Sequence, residues 1–282
     1  RLPSATARSA LRCAGMYDYL TIDQGAGNCP VIVHVPHASR FIPEDVAADF
    51  VATEAQVADE LDKVTDTGTD TLASTARDDA GGRAWMLTNG LSRLVADPGR
   101  FYNRRDSLEA SGRGPVYTRL SDGELLRPLG FDPSELKAKY FHPYDDAVGE
   151  VVRERLRETG SAVIVDLHSY NDQPDEYRIH SGKLLPDICI GTHSVHTPAL
   201  LTDTAARIFT EAGFGVERNT PFTGVYVPVE FEMHPQILGI MFEVRSDLLA
   251  EGSDAANRVA GALAQVLTAA EEIAGSEMGR PM

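Results

Sequence analysis

Three short runs of apolar, mostly β-branched residues stand out along the chain, and each leads into polar side chains. The run at 162–170 reads AVIVDLHSY, the run at 31–35 reads VIVHV, and the run at 237–244 reads ILGIMFEV. Continuous runs of this kind are typical of central strands in an α/β sheet that helices cover on both faces. The pattern therefore predicts an α/β fold with these strands near the middle of its sheet.

The ends of the predicted strands carry side chains that are capable of chemistry. Function in open α/β sheets gathers beyond the carboxyl ends of the strands, and a carboxylate inside an apolar strand is costly unless it is paired or functional. The strand-end residues are therefore candidates for metal binding or for acid–base catalysis, and the alternative is that hydrogen bonds simply satisfy them. In chain order they are His37, Asp166, His168, Ser169 and Glu243.

Helical periodicity fills much of the chain between these runs. It predicts helices over 44–76, over 134–158 and in the Ala-rich stretch near the end of the chain. In the first of these, Asp66 and Asp70 stand four residues apart and would share one helical face. Either could supply a third metal ligand, with Asp62 as a further alternative, and the periodicity does not choose among them.

Arginines gather around the sequence DPG at 97–99. Arg93, Arg100 and Arg104 lie close together in an acidic chain. Any one of them could pair with a surface carboxylate. As a group they are suited to hold the carboxylate of a substrate, because the guanidinium fork matches that geometry.

Loops and a helix start supply candidate residues for the wall of a cleft. His142 flanks a proline at an expected helix start or kink, and it belongs either to an aromatic cluster or to a side wall of the cleft. Asn219 lies in the segment 213–228, which the pattern predicts to be a turn or hairpin loop. Residues 112–126 are predicted to form another loop or hairpin, which could cover a site.

Three further histidines are interpreted as structural. His34 lies inside a predicted strand, on one side of it. His193 and His196 form a close pair that is compatible with metal binding, but histidines in a loop before a helix are common and stronger ligand candidates are present.

Composition limits the class of partner. The chain has 282 residues and a formal net charge of -16, which argues against nucleic acid or an anionic membrane as a partner, because phosphate binding needs an excess of Lys and Arg. The three cysteines are scattered, without a CxxC pair, as is typical of reduced thiols in a cytoplasmic protein. No apolar run approaches the roughly 20 residues of a transmembrane helix.

The chain is expected to form one domain with a short N-terminal extension. Residues 1–20 lack the sustained apolar segment of a secretory signal and are predicted to form a peripheral arm. Residues 21–282 are then long enough for a single α/β domain with a sizeable core.

Seven sequence blocks follow one another along the chain, namely VPHAS at 35–39, DTGTDTL at 66–72, SRLVADPGRF at 92–101, FHPY at 141–144, VDLHS at 165–169, NTPFTG at 219–224 and FEVRSDLL at 242–249. Taken in this order, they resemble the N-formylglutamate amidohydrolase family of zinc-dependent deformylases. That family is in turn similar to zinc carboxypeptidases and aspartoacylases. The resemblance implies a three-layer α/β/α fold with a mixed central sheet, zinc-carboxypeptidase-like (phosphorylase/hydrolase-like).

The resemblance also implies roles for individual residues. It implies one Zn²⁺ or other divalent ion per chain, held by His37, Asp66 and His168, with Glu243 as general base. Asp166 and Ser169 would orient the ligands. The substrate would be a small N-acyl amino acid, with N-formylglutamate of histidine degradation as the family's best-known case. The residues expected to contact the substrate are Arg93, Arg100, Arg104, His142, Asn219 and Arg245.

The chain departs from these patterns at three places. Arg40 stands where the carboxypeptidase motif has a ligating glutamate, so that ligand is expected to come from elsewhere, namely Asp66. Gly99 stands where the family block has an amide, and Phe222 with Thr223 replaces the residues typical of glutamate-specific members. The alternatives are a metallo-carboxypeptidase or peptide amidase of the same fold, and a non-catalytic metal- or ligand-binding homologue.

Overall fold

A computed structural model of the chain describes residues 18–99, 109–171 and 185–277. Its strands form one seven-stranded sheet in the order β1-β3-β2-β4-β7-β5-β6. The strands are β1 (Leu20–Asp23), β2 (Val31–Val35), β3 (Trp85–Asn89), β4 (Ala162–Tyr170), β5 (Ile188–Gly191), β6 (Val216–Arg218) and β7 (Ile237–Arg245).

The sheet is mixed, with a parallel centre. Strands β3, β2, β4 and β7 run parallel, whereas β1 is antiparallel to β3 and β5 is antiparallel to β7. In register, His34 of β2 lies beside Asp166 of β4, and His168 of β4 lies beside Glu243 of β7. The three strands predicted to be central are β2, β4 and β7, and this prediction is confirmed.

Helices cover both faces of the sheet, as the predicted three-layer arrangement requires. Helices α3, α6 and α7 pack on one face, and α5 packs on the other. A π-helical turn at Lys137–Phe141 joins α4 to α5. The helices are α1 (Glu44–Ala47), α2 (Glu54–Val64), α3 (Thr69–Asp79), α4 (Ser134–Leu136), α5 (His142–Thr159), α6 (Ala199–Glu211) and α7 (Asp254–Glu277). Within the described residues, every helix is too short or too polar to cross a membrane.

Alternation along the strands divides the core between the two faces. Val163 and Val165 of β4 face the layer that contains α7, whereas Ile164 between them packs with residues of α5. Every residue of β4 except Ser169 is buried. This enclosure on both sides explains the continuous apolar runs of the central strands.

The predicted helix over 44–76 is instead three helices. A capping box at Thr53 and Gln56 starts α2, which ends at Val64. The following helix begins after Gly68, whose φ of 87° favours glycine. Asp66 therefore lies in the break between α2 and α3 and not on a helical face, because caps interrupt the apolar periodicity here.

Two other sequence predictions meet the structure differently. The segment 213–228 was predicted to be a turn or a hairpin loop; it contains a short strand, β6, parallel to β5, followed by a turn at Asn219, so the turn alternative agrees with the structure. Most of the predicted N-terminal arm, residues 1–17, lies outside the described residues, and β1 begins at Leu20.

Candidate metal centre

Three side chains from separate elements converge beyond the carboxyl ends of β2 and β4. His37 follows β2, Asp66 lies between α2 and α3, and His168 is near the end of β4. The Nδ1 atoms of His37 and His168 are 3.1 Å apart. Asp66 Oδ2 lies 3.1 Å from His168 Nδ1 and 3.5 Å from His37 Nδ1. All three residues are buried.

Backbone contacts hold the two loops of this cluster together. The Asp66 N–H donates to the carbonyl of His37 across 3.0 Å, which fixes the break between α2 and α3 against the end of β2. The side-chain amide of Asn89 donates to the carbonyl of Pro36 and so braces the turn that presents His37.

The outer nitrogen of each histidine faces a buried carboxylate. His37 Nε2 donates to Asp97 Oδ1 across 2.8 Å, and His168 Nε2 lies 3.1 Å from Asp166 Oδ1. A carboxylate in this position fixes the tautomer and the orientation of an imidazole that binds a metal through its other nitrogen. The Nδ1 atoms of both rings are thereby turned toward Asp66.

The sequence did not point to Asp97 as a functional residue. It is fully buried, and its carboxylate also accepts hydrogen bonds from Arg93, from the Tyr117 hydroxyl and from the Gly99 N–H. The available signal was its position directly after the apolar run LVA. An aspartate that ends such a run is costly to bury without partners.

The donor set fits a divalent metal ion. With both Nε2 atoms protonated, the two Nδ1 atoms and Asp66 Oδ2 each direct a lone pair toward the others. Such close lone pairs repel unless a shared proton or a cation lies between them. Ligands at 2.0–2.1 Å from a tetrahedral zinc ion lie about 3.3 Å from one another. The separations of 3.1, 3.1 and 3.5 Å bracket that value. Three protein ligands would leave a fourth position open, as in catalytic zinc sites.

Glu243 stands beside this cluster on the neighbouring strand. It is half-buried, and its Oε2 atom is enclosed without a hydrogen-bond partner among the described residues. Burial, assisted by the negative charge of Asp66 and opposed by His168, raises the pKa of Glu243 to about 8. A carboxyl group with an elevated pKa and an unpaired oxygen is suited to carry a proton.

The neighbouring charges control the protonation of His168. Burial lowers the pKa of this imidazole, but Asp166 and Asp66 outweigh burial and bring the pKa well above its usual value. Burial likewise disfavours the charge of Asp66, yet contacts with His168 and His37 bring its pKa down to about 2. In the absence of a metal, His168 is therefore held as a cation between two carboxylates.

Neither of the other two candidate acidic ligands reaches the cluster. Asp62 is exposed and pairs with Arg40 on the surface, at 2.7 Å. Asp70 is exposed on the first turn of α3, where its carboxylate accepts the N–H of Thr71. Of the three aspartates that periodicity left open, Asp66 alone lies beside the histidines.

The predicted substrate arginines do not gather around the cluster as a free group. Arg93 directs its Nε and Nη2 to Asp97 Oδ2, at 3.0 and 2.9 Å, and its Nη1 to the Val64 carbonyl. Arg245 pairs with Asp187 and with Asp247. Both guanidinium groups are thus neutralised by this chain's own carboxylates. Arg100 and Arg104 lie outside the described residues.

The remaining predicted residues are His142, Asn219 and Ser169. His142 is exposed at the start of α5, where its ring meets Phe141 edge-on. Asn219, exposed at a φ of 53°, uses its amide to bridge Thr192 and Thr223. Ser169 points to the face of β4 opposite His168, because side chains alternate along a strand. The compact group of potential ligands in the described part of the chain consists of His37, Asp66 and His168, and it does not include His142.

The histidines interpreted as structural are not members of the ligand cluster. His193 and His196 stack at 5.1 Å in the segment before α6, and both ring nitrogens of His196 face backbone carbonyls. His34 is fully buried within β2 and contacts Asp166 and Tyr144.

Comparison with solved structures shows which known folds this one resembles. The fold is similar to the N-formylglutamate amidohydrolase from Ralstonia eutropha JMP134, with a TM-score of 0.76 and 20% identity over 92% of this chain and 99% of that chain. It is also similar to a gene product from Agrobacterium tumefaciens, with a TM-score of 0.68 and 21% identity over 90% of this chain and 95% of that chain. A comparison with curated proteins gives no match.

The sequence itself matches a family model over most of its length. The model is described as N-formylglutamate amidohydrolase, and the match runs over residues 29–250. These residues include every member of the His37, Asp66, His168 and Glu243 constellation. The chain belongs to the N-formylglutamate amidohydrolase family.

Proposed function

We propose that this protein is a metal-dependent amidohydrolase that cleaves N-formyl or other short N-acyl amino acids, with N-formylglutamate as the reference substrate. Membership of the family supports amidohydrolase activity on a small-molecule substrate. The observation that carries the proposal is the convergence of His37, Asp66 and His168 next to Glu243, whose Oε2 has no partner among the described residues.

The proposed metal ligands are His37, Asp66 and His168, and two imidazoles with one carboxylate suit zinc. Asp97 and Asp166 hold the two rings so that their Nδ1 atoms face the ion. When bound, a zinc ion lowers the pKa of a coordinated water to about 7, polarises the scissile carbonyl and favours the ionised form of a nearby carboxylate.

Glu243 is the proposed general base and acid. Its carboxylate takes a proton from the attacking water as the oxygen bonds to the acyl carbon. The same carboxyl group then donates that proton to the amide nitrogen as the C–N bond breaks, releasing the acid and a free amino acid. Positioned proton transfer of this kind contributes about 10²- to 10⁴-fold to a rate.

A thiol nucleophile is the obvious competing chemistry, because Cys189 pairs with Glu243 in the sheet. Burial raises the pKa of Cys189 to about 11, and its Sγ donates to the carbonyl of Phe222. The thiolate needed for attack is therefore scarce at neutral pH. The carboxylate beside a metal centre is the better-supported machinery.

The carboxylate of the amino-acid substrate is predicted to bind Arg100 and Arg104. Arg93 and Arg245 stay predicted contacts as well, and their guanidinium groups also pair with Asp97 and with Asp187 and Asp247, respectively. Zinc as the native ion, a cytoplasmic location and a place in histidine degradation stay predictions.

The test is a comparison of products. Protein loaded with zinc is assayed for formate release from a panel of N-formyl amino acids, and for release of the C-terminal residue from short peptides. We expect formate release, and we expect Glu243→Gln to retain zinc while its kcat falls by about 10²-fold or more. Glu217→Gln, an exposed substitution on β6, serves as the matched control.

Two results would contradict the proposal. Release of C-terminal residues without formate would favour the metallo-carboxypeptidase or peptide amidase alternative. Retention of zinc with no hydrolysis of any member of the panel, together with unchanged ligand affinity in Glu243→Gln, would favour the non-catalytic binding homologue.

A further inference from the structure

His34 is a fully buried histidine that the proposed chemistry leaves unused. It lies in β2 beside Asp166 of β4, so both side chains are on the α5 face of the sheet. His34 Nδ1 lies 2.9 Å from Asp166 Oδ1, and His34 Nε2 lies 2.7 Å from the hydroxyl of Tyr144. Both ring nitrogens are thus engaged inside the protein.

The partners of His34 determine its tautomer. An ionised carboxylate only accepts hydrogen bonds, so the proton of His34 is on Nδ1. The Nε2 atom is then an acceptor, and the Tyr144 hydroxyl donates to it. The ring is also stacked on Tyr226, with centroids 4.6 Å apart and an interplanar angle of 21°. Burial lowers the pKa of His34, which agrees with a neutral ring of fixed orientation.

Asp166 is the point at which this arrangement meets the metal centre. Its Oδ1 faces both His34 Nδ1 and His168 Nε2, at 2.9 and 3.1 Å, and its Oδ2 accepts the backbone N–H of Tyr226 at 3.0 Å. The carboxylate is therefore held from three directions. The donor on His34 prevents Asp166 from rotating away from His168.

From these contacts we infer that His34 is a positioning residue for the metal ligand His168, acting through Asp166, and that Tyr144 fixes the tautomer this requires. The inference rests on the metal centre proposed above. The essential feature of His34 is its Nδ1–H donor. A side-chain amide can replace the imidazole if its N–H lies at the position of Nδ1. An amide whose N–H lies at the position of Nε2 cannot.

The substitutions His34→Asn and His34→Gln distinguish a donor at the position of Nδ1 from a donor at the position of Nε2. The amide nitrogen of His34→Asn can occupy the place of Nδ1, whereas the longer side chain of His34→Gln places its amide near Nε2. Both substitutions remove a buried ring, so both are expected to lower the melting temperature of the metal-free protein. Only His34→Gln is expected to weaken zinc binding, by about tenfold, the low end of the range for residues that orient metal ligands.

The experiment measures the zinc dissociation constant of the full chain by competition with a chromophoric chelator, and the melting temperature of the metal-free protein. His196→Gln and His196→Asn are matched controls, because His196 is buried but binds only backbone carbonyls. We expect both controls to melt earlier with unchanged zinc affinity. Tyr144→Phe is expected to weaken zinc binding less than His34→Gln. It removes the hydrogen bond that fixes the tautomer of His34 but leaves the imidazole beside Asp166.

Each result bears on the inference. Equal zinc affinity for wild type and His34→Gln, or equal losses for His34→Asn and His34→Gln, would assign His34 a purely structural role. Wild-type protein that binds no zinc would overturn the metal centre and the inference together. The expected pattern of zinc affinities in a protein that hydrolyses no N-acyl amino acid would uphold the inference and overturn only the proposed function.

Discussion

His37 donates its Nε2 hydrogen to Asp97, sixty residues further along the chain, across 2.8 Å. The contact leaves Nδ1 of His37 as the lone pair that faces His168 and Asp66. Asp97 is itself held by the guanidinium of Arg93. The orientation of one proposed ligand therefore depends on the ion pair between Arg93 and Asp97.

Asp97→Asn is expected to lower zinc affinity by about 10- to 100-fold, as is usual when the carboxylate behind a ligating histidine is altered. It also leaves Arg93 without its buried counter-ion, so the free energy of unfolding should fall by about 3 kcal/mol. Chelator competition and urea denaturation measure the two effects. Asp132→Asn, at an exposed position, is the control. Unchanged zinc affinity in Asp97→Asn would show that this carboxylate does not orient His37.

Gly99→Ala is expected to displace the ring of His37. A Cβ atom at position 99 would lie 2.9 Å from His37 Cε1 and 3.2 Å from its Nε2, closer than ring and methyl carbons tolerate. We therefore expect weaker zinc binding and a lower kcat. Gly27→Ala is the matched control, because a Cβ there meets nothing within 4 Å. A variant at position 99 with wild-type zinc affinity would refute this account of the glycine.

Zinc binding is expected to release protons. Because Asp166 and Asp66 raise the pKa of His168, the metal-free ring is a cation at neutral pH and must lose its proton when it becomes a ligand. Affinity should accordingly weaken as the pH falls below the raised pKa, by about tenfold per pH unit for each proton released. Calorimetry in two buffers of different ionisation enthalpy counts the protons. Binding that is independent of pH between 6 and about 8 would contradict the raised pKa of His168 in the metal-free protein.

The identity of the acidic ligand can be tested with three matched substitutions. Asp66→Asn should weaken zinc binding more than Asp97→Asn does, because it alters a direct ligand. Asp62→Asn and Asp70→Asn should leave the affinity unchanged, since both side chains are exposed. If either of these two variants lost zinc while Asp66→Asn kept it, the geometry of the cluster would have been misinterpreted.

Local sequence was sufficient to predict the residues on the central strands. The β-branched runs identify β2, β4 and β7, and strand alternation places Asp166 and His168 on one face. His37 and Glu243 follow from the same rule, because parallel strands present their carboxyl ends at one edge of the sheet. Within these runs, the local preference for strand and the burial in the fold agree.

Contacts between distant segments were beyond sequence reasoning. Asp66 depends on a break between helices that caps create within an apparently continuous periodic stretch. Arg93 was predicted to bind the carboxylate of a substrate, and its contact with the carboxylate of Asp97, four residues later, could not be foreseen from the spacing. His34 was interpreted as structural, and its link to Asp166 became visible only through the pairing of β2 with β4.

The pairing of β4 with β7 runs unbroken from Ala162 beside Ile237 to Tyr170 beside Arg245, and it sets His168 next to Glu243. Neighbouring strands in such a ladder lie about 4.8 Å apart. Main-chain hydrogen bonds at the centre of the sheet therefore set the distance between His168 and Glu243, independently of the surrounding loops. If the proposed function holds, loop sequences can diverge to admit different acyl chains while His168 and Glu243 keep their separation, so substrate specificity can change without any change in the central sheet.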